Sequence, residues 1–308
     1  MAGSQLKRLA DEAESQPSIL ERFAQSKFPR APEGSIFVGA GDSYAASLAG
    51  FYASNGRCLA LDPYSLASAP GIARGREVFV ISVSGRTASN VTAAKKVKGV
   101  AKRTIAITAN RGSELADVAD EVIALPMAYL PRTAGMLSFS LSLLAVFEIA
   151  SGPGRHDLRR MFDWARKDGG KVSWGRGTTY FLGNSLGFPV AVYAAAKTYE
   201  LLGGKAHAEL LEEFSHMELF SLTKSDAVNV FECFDPSGAS TRLSKALAEN
   251  GYEARVIPAR GSSDFERLFH AVFVTQLSAV GRAREAGLSE PKFLSARRRL
   301  RMSDYMIY

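Results

Sequence analysis

Short runs of apolar and β-branched residues recur along this chain, and stretches of helical character separate them. They comprise residues 35–39, 57–61, 78–83, 104–108 and 122–125 in the first half, and residues 179–182, 228–234 and 255–257 in the second. Alternation of strands and helices is typical of a parallel sheet with helices on both faces. The sequence therefore predicts an α/β fold with the three-layer αβα arrangement, in which a sheet lies between two layers of helices.

The chain divides near its middle. Ser151-Gly152-Pro153-Gly154 ends an apolar helix that starts at Met136, and helix-breaking residues of this kind mark a domain connection. We therefore expect one domain at residues 1–153 and a second at residues 154–308. The helix from Met136 is too short to span a bilayer and carries serines and Glu148, so we expect it to be buried.

The two halves open with the same pattern. A strand, a glycine turn, a hydroxyl side chain and an alanine-rich helix follow one another from Ile36, and again from Tyr180. This repetition predicts two copies of one α/β unit. Because ligands of parallel sheets bind outside the carboxyl ends of the strands, Gly41 and Ser43 are candidates for a binding site.

A second candidate turn follows the strand at residues 78–83. Ser82 and Ser84-Gly85-Arg86-Thr87 lead from this strand into a helix. Unpaired backbone N–H groups, the positive end of the helix dipole and several hydroxyls then meet at one point, which suits a phosphate group. The alternative is that Ser84 and Thr87 only cap the helix, since Ser and Thr are common caps.

The second half holds candidates for acid–base chemistry. Lys197 and Glu200 lie three residues apart on one helix face, where a structural salt bridge is the alternative to a catalytic pair. His216 follows a group of acidic residues, whereas His156 and His207 are expected in loops and His270 in a buried helix, all three with structural roles.

One arginine of the first half is also a candidate. Arg132 lies between a strand end and the Met136 helix, where it can hold either a protein carboxylate or a substrate anion.

These motifs resemble a known family. Ser82-x-Ser84-Gly85-x-Thr87 is similar to the phosphate-binding signature of the sugar isomerase (SIS) domain, a flavodoxin-like fold. The duplicated layout resembles the double-SIS phosphosugar isomerases. The spacing of Lys197, Glu200 and His216 resembles the isomerase domain of glucosamine-6-phosphate synthase.

Within this superfamily, the chain is most similar to the archaeal bifunctional phosphoglucose/phosphomannose isomerases. Pro131-Arg132-x-Ala134 and the last basic helix carry that likeness. Those enzymes have a catalytic lysine where this chain has Arg297, and arginine cannot act as a titrating acid, although it can hold an oxyanion. Lys292 is the nearest alternative.

The resemblance implies an aldose–ketose isomerase that interconverts glucose or mannose 6-phosphate with fructose 6-phosphate through an enediolate. Ser43, Ser82, Ser84 and Thr87, with the backbone at Gly41 and Gly85, then bind the phosphate. The family's roles assign ring opening to His216, proton transfer to Glu200 and enediolate stabilisation to Arg132. They further imply a homodimer in which His216 serves the neighbouring subunit.

Two other functions stay open on the sequence. One is a glucosamine-6-phosphate deaminase or isomerase, and the other is a sugar-phosphate-binding protein without catalysis. Too little chain precedes Ser35 for a glutaminase or a helix-turn-helix domain, so we expect neither glutamine-dependent amination nor a DNA-binding regulator of the usual layout.

Composition limits the partners and cofactors to be expected. The net charge is +7, with much of the excess in the last basic helix, and no nucleic-acid-binding motif accompanies it. We therefore expect a small anionic substrate and neither nucleic acid nor membrane as partner. Two distant cysteines indicate neither a disulfide framework nor a metal cluster. We expect no cofactor and no metal, and a cytoplasmic location because no secretory segment is present.

Overall fold

The computed structural model describes residues 5–129, 133–154, 156–232 and 237–308. The strands in these ranges are β1 Ile36–Gly39, β2 Leu59–Leu61, β3 Glu77–Ile81, β4 Arg103–Thr108, β5 Glu121–Ala124, β6 Thr178–Leu182, β7 Lys205–Glu209, β8 Ala227–Phe231 and β9 Glu253–Ile257. The helices are α1 Gln5–Phe23, α2 Asp42–Ala53, α3 Pro63–Ser68, α4 Ala88–Val97, α5 Glu114–Val118, α6 Leu137–Ser151, α7 Leu158–Asp168, α8 Gly187–Lys197, α9 Leu211–His216, α10 Ala239–Glu249, α11 Asp264–Glu285, α12 Lys292–Ser295 and α13 Arg297–Ile307. The predicted α/β fold is confirmed.

The chain forms two compact units, and each contains a part from the opposite end of the sequence. The N-terminal unit comprises Ile19–Arg155 with Arg297–Tyr308, and the C-terminal unit comprises His156–Ala296 with Met1–Ser18. This division differs from the 1–153 and 154–308 boundaries at both chain ends. The first residues belong to the C-terminal unit because Leu6 N donates to Ser289 O and Gln16 Nε2 donates to Gln276 Oε1.

The sheet of the N-terminal unit is parallel, with strand order β2-β1-β3-β4-β5. Every residue of β1 and β3 is buried, which explains the apolar character of β1 and of residues 78–81. Phe37 packs on one face beside α2 and α6, where a side chain at Gly50 would come within 2.7 Å of both Phe37 and Val146. Ile36 and Val78 pack on the other face, beneath α3, α4 and α5. The helix predicted from Met136 is α6, and it is buried from Leu137 to Ala150.

The sheet of the C-terminal unit repeats this topology with strand order β7-β6-β8-β9, again parallel. One face packs on α9 and α10 through Tyr180, Phe214 and Leu247. Strand β7 was not anticipated, and the expectation that His207 lies in a loop is wrong, because His207 pairs with Tyr180 inside the sheet. The charged residues of this edge strand interrupt the apolar pattern that would otherwise predict a strand.

Backbone geometry also supports the duplication. A Cβ on Gly39 would lie 2.5 Å from the carbonyl of Ser43, four residues later. A Cβ on Gly183 would meet the carbonyl of Gly187, at the same spacing. Two residues after each glycine the backbone is left-handed, with φ of +59° at Gly41 and +50° at Ser185. The two turns are therefore built alike, although serine replaces glycine in the second.

Substitution of Gly39 tests the close approach in the first turn. We expect Gly39→Ala to lower the free energy of unfolding by about 1–3 kcal/mol, since the turn must shift to admit the methyl group. Gly71→Ala is the matched control, because a Cβ there meets nothing within 4 Å. Urea unfolding measures both, and equal midpoints for the two variants would contradict the close approach.

The buried carboxylate of Asp168 lies at the centre of a group of basic side chains in the C-terminal unit. Arg260 holds Asp168 through two hydrogen bonds of 2.5 and 3.1 Å, and Lys171 Nζ lies 2.9 Å from the same carboxylate. The hydrogen bond from Arg260 lowers the pKa of Asp168 to about 2. His270 Nδ1 accepts from the backbone N–H of Arg260, which requires an unprotonated nitrogen, and burial lowers the pKa of His270 to about 4.

Stability should therefore fall as the solution becomes acidic. Between pH 6.5 and about 4 the unfolded chain binds a proton at His270 and the native chain does not, so we expect a loss of about 3 kcal/mol. A further loss follows below pH 3.8, where the unfolded chain protonates Asp168 first. Urea unfolding at several pH values measures this slope. His270→Gln should reduce the dependence of the free energy of unfolding on pH above pH 4, and the control His216→Gln, at an exposed site, should not. An unchanged pH dependence in His270→Gln would contradict the role given to His270.

Candidate functional site

The two predicted turns lie at the same edge of the N-terminal sheet. Strands β1 and β3 are neighbours, and Gly39 at the end of β1 pairs with Ile81 at the end of β3. The chain leaves β1 for β2 on one side of the sheet and returns to β3 on the other, so the strand order reverses between β1 and β3. This topological switch point is where ligands bind in open α/β sheets.

Gly85 shapes the turn after β3. Its φ is +63°, and a Cβ on it would overlap the Ser113 hydroxyl. Both constraints restrict this position to glycine. Gly85 N donates to Ser82 O over 3.0 Å, and Arg86 N donates to the Ser84 hydroxyl over 3.2 Å. The turn is therefore closed by its own backbone, with Ser82 and Ser84 buried.

The segment after β4 fixes this turn from outside. Asn110 Nδ2 donates to Ser84 O over 3.2 Å, and Leu115 N donates to Gly85 O over 3.1 Å. The Thr108 hydroxyl donates to Val83 O. Sequence reasoning missed Asn110 and Ser113 as supports of the site. The signal that could have found them is a polar run at the end of the next parallel strand, which lies at the same sheet edge.

The first turn of α4 lacks a side-chain cap. Thr87 is the N-cap residue of α4, yet its hydroxyl accepts no N–H of that helix. It lies 3.4 Å from the Ser82 hydroxyl instead. The first turn of α4 therefore presents its N–H groups, the positive end of its dipole and nearby hydroxyls together.

The turn after β1 contributes a second helix N-terminus. Gly41 is the N-cap residue of α2, and no side chain caps that helix. A Cβ on Gly41 would meet nothing within 4 Å, so its surroundings are open. Ser43 is half-buried in the first turn of α2.

Lys197 and Glu200 form the ion pair that their spacing predicts. Lys197 ends α8, is fully buried, and its Nζ lies 2.5 Å from Glu200 Oε2. Glu200 belongs to a π-helical turn, Thr198–Leu202, and π turns recur at functional sites. An uncompensated buried ammonium is costly, so the pair is structural in part. The Glu200 side chain nevertheless stays 40% exposed, which leaves the carboxylate accessible to a ligand.

His216 lies on the surface. Its side chain is 69% exposed, and its Nε2 lies 3.2 Å from Glu212 Oε1, one helical turn earlier. Within the described ranges His216 forms no hydrogen bond or ion pair with Glu200.

Three basic residues are candidates for oxyanion stabilisation. Arg132 lies outside the described residues. Arg297 begins α13, an exposed helix without a buried side chain. Lys292 lies next to the π turn that carries Glu200, because a Cβ on Gly203, directly after that turn, would lie 3.0 Å from the Lys292 Cβ.

Part of the chain matches a known protein family. Residues 33–149 match the family model of the SIS domain. No curated protein matches the chain. None of the helices in the described ranges is both long and apolar enough to cross a membrane.

Several solved structures are similar along almost the whole chain. A glucosamine-6-phosphate deaminase from Thermotoga maritima is 23% identical with a TM-score of 0.73, over 91% of this chain and 95% of that one. The C-terminal domain of glucosamine-fructose-6-phosphate aminotransferase from Francisella tularensis is 17% identical with a TM-score of 0.73, over 92% and 97%. Tagatose-6-phosphate ketose/aldose isomerase from Escherichia coli is 18% identical with a TM-score of 0.65, over 93% and 90%. At these identities the likeness establishes the fold, and the two units are consistent with two SIS-like αβα domains.

Removal of two hydroxyls tests the turn after β3. We expect the double variant Ser84→Ala with Thr87→Ala to bind fructose 6-phosphate at least about tenfold more weakly, because hydrogen bonds to a charged phosphate are lost. Isothermal titration calorimetry measures this affinity. Thr92→Ala removes an exposed hydroxyl on the same helix and should leave the affinity unchanged. Equal affinities for the double variant and the wild type would show that the turn has only a structural role.

Proposed function

We propose that the protein is a phosphosugar aldose–ketose isomerase that interconverts glucose or mannose 6-phosphate with fructose 6-phosphate. The observation that supports it most is the Ser82–Thr87 turn, which presents hydroxyls and an uncapped helix N-terminus at the switch point of an SIS domain. That arrangement suits a phosphomonoester on a small molecule.

The phosphate contacts orient the substrate in this proposal. Ser82, Ser84 and Thr87 bind phosphate oxygens through their hydroxyls, with Ser43 from the neighbouring turn. The backbone at Gly41 completes the contact in open surroundings, and Gly85 contributes by giving the turn after β3 its shape. These groups bind substrate, intermediate and product alike, so they contribute affinity and positioning more than selective stabilisation of the transition state.

Glu200 is the proposed base. Its carboxylate removes the proton from C2 of the open-chain aldose and returns it to C1, while a proton moves from the C2 hydroxyl to the C1 oxygen. The adjacent Lys197 ammonium stabilises the ionised carboxylate, which is the form that accepts the proton. The enediolate between these two steps carries negative charge, which Arg132, with Arg297 or Lys292, offsets.

His216 is proposed to open the sugar ring by moving a proton between the ring oxygen and the anomeric hydroxyl. Its exposure would let it reach the active site of a neighbouring subunit, so we propose a homodimer.

Sedimentation velocity at micromolar protein concentration should show a dimer. A monomer at all concentrations would remove His216 from the mechanism.

Neutralising Glu200 separates catalysis from binding. We expect Glu200→Gln to bind fructose 6-phosphate within a few fold of the wild type and to lose on the order of a hundredfold or more in kcat, the scale of general-base catalysis. Turnover is measured by coupled detection of glucose 6-phosphate. Glu249→Gln, an exposed carboxylate on α10, is the control and should keep full turnover. Wild-type turnover in Glu200→Gln would contradict the assignment.

A glucosamine-6-phosphate deaminase is the second candidate, favoured by the similar structure of that enzyme from Thermotoga maritima. Separate incubations with fructose 6-phosphate and glucosamine 6-phosphate distinguish the two. Formation of an aldose 6-phosphate supports the isomerase, and release of ammonia supports the deaminase. Binding without any product would favour a sugar-phosphate-binding protein.

A further inference from the structure

A second group of chemically active side chains lies in the C-terminal unit, away from the Lys197–Glu200 pair in sequence. His207 and Glu209 lie two residues apart on β7 and therefore on the same face of the sheet. Glu218 joins them from a short 3₁₀ turn, Glu218–Ser221. One donor atom from each of the three lies within 4.8 Å of the other two.

From this cluster we infer a binding site for one Zn²⁺ ion, with His207 Nε2 and one oxygen each of Glu209 and Glu218 as ligands. Nitrogen and oxygen ligands of this kind suit Zn²⁺, whereas Mg²⁺ and Ca²⁺ prefer oxygen alone. Three protein ligands leave the fourth tetrahedral position for water.

The distances fit coordination. Two ligands that each lie about 2.0–2.1 Å from a tetrahedral ion are about 3.3 Å from one another. His207 Nε2 is 3.0 Å from Glu218 Oε1 and 3.6 Å from Glu209 Oε2, so the observed pairs bracket this value. The ligand oxygens of Glu209 and Glu218 lie within 4.8 Å of one another, so they need to approach each other by at most about 1.5 Å to share an ion with His207.

Hydrogen bonding does not account for the cluster. His207 Nε2 and Glu218 Oε2 are both buried atoms, and among the described residues neither has a hydrogen-bond partner, despite the close approach of imidazole and carboxylate. Glu209 differs, since its Oε1 accepts from Leu210 N over 2.8 Å. That bond fixes one carboxylate oxygen and leaves the other facing His207, in the way that hydrogen bonds to metal-binding side chains orient them toward the ion.

The charge balance also favours a cation. The side chains of Glu209 and Glu218 are only 20% and 19% exposed, and within the described ranges neither pairs with a lysine or arginine. Two carboxylates held against one imidazole repel each other unless a positive charge lies between them. The Tyr180 ring, edge-on to His207 at 6.1 Å, further limits water on that side.

Zinc titration of the full chain tests this site. Protein freed of metal with a chelator is titrated with ZnCl₂ by calorimetry at pH 7.5, and we expect saturation at one equivalent. Zn²⁺ at about a hundred times its Kd should raise Tm by roughly 4–8 °C, and MgCl₂ should not.

Variants assign the ligands. His207→Asn and Glu218→Gln should each weaken Zn²⁺ binding at least about tenfold. Glu212→Gln is the matched control, because Glu212 and His216 form an exposed carboxylate–imidazole pair without a third ligand. Without metal, Glu218→Gln should have a free energy of unfolding no lower than that of the wild type, since the substitution removes the repulsion between two carboxylates. Glu209→Gln is a second carboxylate variant, which replaces Glu218→Gln if the Glu218→Gln protein does not fold.

Two results would overturn the proposal. One is the absence of saturable Zn²⁺ binding. The other is loss of binding in Glu212→Gln with His207→Asn unaffected, which would place the ion on α9. Neither result bears on the phosphate turn, which lies in the other unit.

Discussion

The proposed phosphate site depends on close backbone packing at the carboxyl ends of β1 and β3. Gly39 lets the chain fold back against the carbonyl of Ser43, and Gly85 lets the next turn pass against Ser113. Because β1 and β3 are adjacent and in register, both turns open at one sheet edge. The helices that follow then direct their N-termini there. A side chain at either glycine would displace the hydroxyls that give the site its chemistry.

The C-terminal unit uses the same frame for different purposes. Its first turn keeps the close approach and the left-handed residue, but Glu232 follows β8 where Ser82 follows β3. A carboxylate at that place disfavours phosphate. The acid–base candidates of this unit, Glu200 and His216, lie on the π turn after α8 and on α9. The buried Lys197 ties the π turn to the helix before it and holds Glu200 in place.

Much of this was predictable because the patterns are local. Buried parallel strands read as apolar runs, and a hydroxyl-rich turn before a helix has few structural interpretations. The ion pair of Lys197 and Glu200 follows from helical spacing alone. What could not be predicted depends on contacts between distant segments. Leu6 binds Ser289, which moves the first residues into the C-terminal unit.

Strand β7 shows a different limit. Its sequence Lys-Ala-His-Ala-Glu has small residues where a typical strand has large apolar ones, so the pattern does not indicate a strand. Once it is paired with β6, its polar face brings His207 and Glu209 toward Glu218. Asn110 was missed for a similar reason, since its hydrogen bond to Ser84 joins residues that only the sheet brings together.

The central claim is that the turn after β3 binds the phosphate of a sugar, and amide NMR tests it most directly. Fructose 6-phosphate is titrated into ¹⁵N-labelled protein with assigned amides, and fructose is titrated in parallel. We expect saturable shifts at Gly85, Arg86 and Ala88 with the phosphate ester and none with fructose. The amides of Ser185 and Gly187, in the equivalent turn of the other unit, should stay in place. Shifts that are equal for both sugars, or that are absent from residues 84–89, would contradict phosphate binding by this turn.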